Sequence, residues 1–117
     1  IVKAGGEYVM FVKNETRHPP AKYIFTTRTK SLEGPWGPPS EPITPPGLWA
    51  EGPYAANING TWHLYFDAYA VRGFGLLTSA DLLTWQDRSS ELQPPKGVKH
   101  GSVFAVKKSE IMLTEGR

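Results

Sequence analysis

Trp49-Ala50-Glu51-Gly52-Pro53 is the place in this chain where residue types and spacing could do acid–base chemistry. Proline restricts its own φ and the conformation of its predecessor, so Gly52-Pro53 fixes the backbone next to the carboxylate. Trp49 can lower the local polarity and raise the Glu51 pKa, or offer its ring to a sugar. A carboxylic acid kept protonated near neutral pH is what glycosidic cleavage requires. A lone glutamate proves little, because most are solvated surface charges. Glu51 gains weight from a second run, His100-Gly101-Ser102-Val103, which lies 49 residues after Glu51-Gly52-Pro53-Tyr54 in a matching context. Its value as a site residue therefore depends on the elements that position it.

Those elements read as strands. Glu7–Asn14 (EYVMFVKN) follows a Gly5-Gly6 turn, and Lys22–Arg28 (KYIFTTR) comes next. A Gly/Pro-rich stretch, 33–53, carries one short strand near Glu41–Ile43. Tyr54–Ile58 leads into Asn59-Gly60, a strong hairpin signal, and Trp62–Tyr69 returns. Arg72-Gly73 turns the chain into Phe74–Ser79. Ala80–Trp85 is a turn, with a short outer strand at Trp85–Arg88, and Gly101–Lys107 opens another unit. Ser79–Trp85 is the only helical competitor, and it is short.

The pattern repeats. Gly6-Glu7-Tyr8 aligns with Gly60-Thr61-Trp62 at a shift of 54, and Trp36 with Trp85 at a shift of 49. A period near 50 with four short antiparallel strands is the signature of a β-propeller blade. The expected fold is thus all-β, with about two antiparallel propeller blades in one partial domain spanning 1–117. Residues 5–43 form the outer three strands of one blade, 51–93 a full blade, and 100–107 the inner strand of the next. Closed propellers need four or more blades. The remainder would come from a longer polypeptide or from self-association. The chain starts at Ile1 rather than Met, which leaves room for an upstream segment. A small β-sandwich with coincidentally similar halves is the rival architecture.

Composition narrows the partners. Twelve glycines and eleven prolines in 117 residues suit a turn-rich β protein. A net charge of +2 with scattered basic residues argues against nucleic acid. With no cysteine, the chain can hold no disulfide, zinc-thiolate site or thiol nucleophile. No apolar run approaches the roughly 18 residues that cross a bilayer, so no membrane partner is expected.

In such a repeat, Glu51 and His100 begin inner strands at the mouth of a central funnel. The returning strand brings Asp67, Tyr69 and Arg72 to the same mouth, and the preceding unit brings Asn14, Glu15 and Arg17. Trp49, Tyr69, Arg72 and His100 are the candidate substrate-binding residues. His63 reads as structural and His18 as an exposed loop residue. Trp36 and Trp85 read as packing residues at equivalent outer positions.

The Glu51-Gly52-Pro53 triplet, the hairpin in ANINGTWHLYFDAY, the later LLTSADLLTWQD and the closing KHGSV together resemble glycoside hydrolase family 43. The resemblance covers 49–107 well and 5–48 loosely. It implies a five-bladed propeller that cleaves arabinosyl or xylosyl linkages in plant-type polysaccharides or oligosaccharides, usually with inversion. By resemblance Glu51 is the general acid, protonating the departing glycosidic oxygen. His100 would approach a structural calcium ion through water, no other cofactor being required, and the location would be extracellular or periplasmic. The family's two catalytic aspartates have no counterpart, since residues 1–48 contain no aspartate. A base outside the chain would then activate water, across the roughly 6.5–9.5 Å that an inverting pair needs. The alternatives are a non-catalytic carbohydrate-binding module and a structural propeller segment.

Overall fold

The computed structural model describes residues 1–70 and 73–111. The fold is all-β, and every strand pairing is antiparallel. The first sheet is built from β1 (Val2–Ala4), β2 (Glu7–Lys13) and β5 (Ile24–Thr29), in the order β1-β2-β5. A two-stranded ribbon, β3 (Thr16–Arg17) and β4 (Pro20–Ala21), lies between β2 and β5 in sequence. The second sheet runs β6-β7-β8-β9, from β6 (Glu51–Ile58), β7 (Thr61–Ala68), β8 (Gly73–Ser79) and β9 (Gln86–Asp87).

The two sheets are made alike. Gly5-Gly6 (φ 55° and 82°) and Asn59-Gly60 (φ 51° and 85°) are matching two-residue turns with both residues left-handed, the form that suits the twist of a hairpin. From these turns the shift of 54 carries β2 onto β7. Tyr8 pairs with Thr29 as Trp62 pairs with Ser79, so β5 overlies β8 at a shift of 50. Serine side chains then tie the outer segment to that strand. The Thr26 N–H donates to Ser40 Oγ at 2.9 Å, and the Leu76 N–H donates to Ser89 Oγ at 3.0 Å. Even the linkers agree: the Leu48 N–H reaches the Pro45 carbonyl and the Val98 N–H the Pro95 carbonyl, at 3.3 and 3.2 Å. This Pro-Pro-containing linker repeat was also present in the sequence.

Strand alternation divides each sheet into two faces. On β7, Leu64, Phe66 and Ala68 point to one face and His63, Tyr65 and Asp67 to the other. The first of these faces packs against the first sheet. Ile24, Leu48, Ala50, Leu64, Phe66, Ala68 and Leu77 form the core, with Phe11, Ile43, Ala55 and Trp85 packed around it. Phe11 and Trp85 meet edge to face at 5.8 Å. Burying a side chain such as Phe66 or Ile24 contributes about 1.5–3 kcal/mol, and both are fully buried. Gly75 is required beneath Phe66, where an added Cβ would stand 2.3 Å from the ring.

Several expectations change. β1 forms where none was expected, and β6 starts at Glu51 rather than Tyr54. Glu41–Ile43 is not a strand: Pro38, Pro39 and Pro42 have no N–H to donate, so this segment follows β5 through isolated bonds from Gly37, Ser40 and Ile43. Gly101–Lys107 belongs to no sheet. Among the described residues no strand lies alongside it to complete a ladder, although the Tyr54 hydroxyl donates to the Val103 carbonyl at 2.9 Å.

Candidate functional site

Glu51 opens β6 directly across from Asp67 of β7. The next paired residues are Tyr54 and Tyr65, so β6 carries one extra residue and bulges at Gly52-Pro53. Gly52 sits at φ +57°, a conformation that favours glycine, and Pro53 is tolerated because β6 is an edge strand. The Gly-Pro pair thus shapes the backbone at the carboxylate, as the sequence indicates.

What touches Glu51 differs from expectation. Lys13, the last residue of β2, places Nζ 2.5 Å from Glu51 Oε2 and also contacts Glu15 Oε1. Lys22 lies 3.6 Å from the other oxygen of Glu15 and 5.4 Å from the centre of the Trp49 ring. The Lys13 hydrogen bond therefore holds the Glu51 carboxyl below its usual range, with its charge and those of His100 and Lys22 acting in the same direction against a smaller effect of burial. Glu51 rests ionised at neutral pH, which corrects the expectation of a protonated acid. Lys13 is raised in turn by Glu15 and Glu51.

His100 is held by the buried side chain of Asp67. Asp67 Oδ2 contacts His100 Nδ1 and accepts the His100 backbone N–H at 2.8 Å. The imidazole is packed against Gly52, where a Cβ would stand 2.8 Å from Nε2. Trp49 and Tyr69 form an edge-to-face pair at 6.4 Å and are 38% and 42% exposed, so two aromatic surfaces border the charged cluster. A groove of about 410 Å³ continues from Trp49 and Lys22 along Tyr23, Thr44 and Pro45. The structure thus gathers Glu51, Trp49, Tyr69 and His100; Arg72 lies outside the described residues. Arg17 is bound up in the small ribbon.

The repeat explains the two charged pairs. At a shift of 54 Lys13 becomes Asp67, and at 49 Glu51 becomes His100. Lys13–Glu51 and Asp67–His100 are therefore the same junction with the signs exchanged. Each joins the end of a sheet's second strand to the first residue after the following linker. The sequence carries this signal in Lys13, which stands 38 residues from Glu51 and so outside its local motif.

Among the described residues no three His, Asp or Glu side chains converge to hold a metal ion. The one carboxylate at His100 is already bonded to it, a poor fit to a hard cation that prefers several oxygens. The other aspartates are engaged in turns: Asp81 accepts the Leu83 and Thr84 N–H groups and Asp87 that of Ser89. Glu15 shares Lys13 with Glu51, so their nearest oxygens are no farther apart than two such bonds end to end. The chain matches no family model, no curated protein and no solved structure.

Proposed function

We propose that this chain is part of a carbohydrate-cleaving site of the glycoside hydrolase family 43 type, in which Glu51 protonates the leaving oxygen of an arabinosyl or xylosyl linkage. The observation that carries the reading is the join of a backbone-fixed carboxylate with an exposed Trp49–Tyr69 surface on one face. Aromatic rings suit the apolar faces of sugars, and the carboxylate stands beside them. The two alike sheets fit consecutive blades of a five-bladed propeller, and His100 and Tyr69 border the funnel mouth. For Glu51 to act as acid, substrate must separate it from Lys13, since an ionised carboxylate has no proton to give. The base would come from outside this chain.

A second reading, binding without cleavage, is favoured by the Lys13–Glu51 pair itself. It keeps Glu51 ionised and recurs at the Asp67–His100 junction, as a fastening between successive sheets would. Titration of arabino- and xylo-oligosaccharides by calorimetry, with product release followed in parallel, separates the readings. Turnover of an unactivated oligosaccharide that Glu51→Gln abolishes supports the hydrolase. Turnover near wild type in that variant removes Glu51 as acid. Binding without turnover selects the second reading, and absence of binding to any of these sugars overturns both.

A further inference from the structure

Among the described residues each sheet has one face that no second sheet covers, and the repeat relates those two faces. The first sheet covers the second with Phe11, Ile24 and Thr26, and the second answers with Leu64, Phe66, Leu77 and Trp85. Carried through the repeat, Phe11, Ile24 and Thr26 become Tyr65, Phe74 and Leu76, on the face of the second sheet turned away from the first; Leu76 is buried there, and Tyr65 and Phe74 are bordered by Leu92, Val98 and Gly101 of the same chain. Leu64, Phe66, Leu82 and Trp85 become Met10, Val12, Leu32 and Trp36, on the open side of the first sheet. The molecule thus displays, separately, both halves of an interface that it already closes once inside itself. We infer that copies of this chain dock head to tail, the Leu32–Trp36 side of one copy covering the Tyr65–Phe74 face of the next.

Exposure of matched residues supports this. Leu82 is 2% exposed within the closed interface, whereas Leu32 is 54% exposed. Tyr65 and Phe74 stack at 6.2 Å and are only partly buried, Tyr65 occupying the place where Phe11 receives Trp85. The edges agree as well. β1 pairs with Glu7, Tyr8 and Val9 and leaves Met10–Lys13 of β2 without a strand on that side among the described residues. By the register of β6 on β7, Val103 and Phe104 of a neighbouring copy would fall opposite Phe11 and Met10. Phe104 is 78% exposed in a segment that belongs to no sheet. Ala105–Lys107 would then take the place of Val2–Ala4, so β1 is displaced from β2 in the assembly. Such an interface is heterologous and builds a ring if the rotation closes, or a filament if it does not.

The inference rests on the repeat and not on the sugar chemistry, and it competes with the five-bladed reading, because copies of two sheets each close only rings with an even number of blades. Sedimentation equilibrium over a range of concentrations should show mass rising above the 13.0 kDa of one chain. Leu32→Glu should weaken association by about tenfold or more, as for a central apolar anchor. Leu83→Glu, at a 70% exposed leucine outside both faces, should leave it unchanged. Both leucines are exposed, so neither substitution endangers the fold. Because the chain has no cysteine, single-cysteine variants test direction. Arg28 donates to the Leu82 carbonyl at 2.7 Å, and the repeat turns this pair into Thr78 of one copy and Leu32 of the next, so a mixture of Leu32→Cys and Thr78→Cys chains should oxidise to the mixed disulfide in preference to either symmetrical one. A single-chain mass at every concentration overturns the inference. So does equal loss of association in the two Glu variants, or a preference for symmetrical disulfides.

Discussion

The covered face of the first sheet and the open face of the second have one backbone plan and two fates. Ile24 is fully buried, while Phe74 in the same place is only partly buried. Leu48 of the first linker is 6% exposed, against 36% for Val98 of the second. Side-chain chemistry follows the difference. The aliphatic and apolar Val9, Phe11 and Ile24 give way to His63, Tyr65 and Phe74, of which His63 and Tyr65 carry polar groups that water can satisfy. Register and turn chemistry therefore set the shape of a sheet, and the layer placed over it sets what each position contributes.

The largest difference between the two faces is expected in the core. Ile24→Ala should lower unfolding free energy by about 2–5 kcal/mol, since it removes buried methylenes and leaves a cavity. Phe74→Ala should cost well under half as much at a concentration where the chain is monomeric. Equal losses in chemical denaturation would mean that both faces are covered in solution.

The two glycines after the junction residues sharpen it next. Gly52→Ala meets the left-handed φ of +57° and a His100 ring 2.7 Å from the new Cβ. It should cost about 1–3 kcal/mol and release the His100 ring from Asp67, visible as changed imidazole chemical shifts by NMR at fixed pH. At the matching position, Gly101→Ala would meet only Phe74, at 3.6 Å, and should be close to neutral. A neutral Gly52→Ala would show that the bulge does not hold His100.

The smallest effect distinguishes the two charged junctions by pH. Glu51 is lowered in the folded state, so its contribution is present above the ordinary carboxylate range and is lost as pH falls below it. Lys13 is raised, so its contribution is present below the ordinary lysine value and is lost as pH rises through the raised one. Lys13→Met should therefore lower Tm modestly between these limits and flatten the acid limb of the stability curve. An unchanged acid limb would place the acid sensitivity at another group.

Much of this was legible in the chain. Asn59-Gly60 announced its hairpin, Gly6-Glu7-Tyr8 against Gly60-Thr61-Trp62 announced the repeat, and Glu51-Gly52-Pro53 marked a shaped carboxylate. Turns and alternation are local, so local residue types report them. The outer segment at 41–43 misled because β propensity at Ile43 ignores the donors its prolines lack. Gly101–Lys107 misled because a strand needs a neighbour that its own residues cannot supply. Trp49 misled because proximity in sequence put it near Glu51, while the group that governs the carboxylate arrives from β2.

By itself, then, the sequence determined the all-β plan, the Asn59-Gly60 hairpin, the repeat and the shaped backbone at Glu51. Those depend on backbone conformations and on side chains a few residues apart. The tertiary structure decided which face is buried, that Lys13 keeps Glu51 ionised, and that His100 belongs to Asp67. Burial and charge pairing act through space, so they depend on which residues packing brings together.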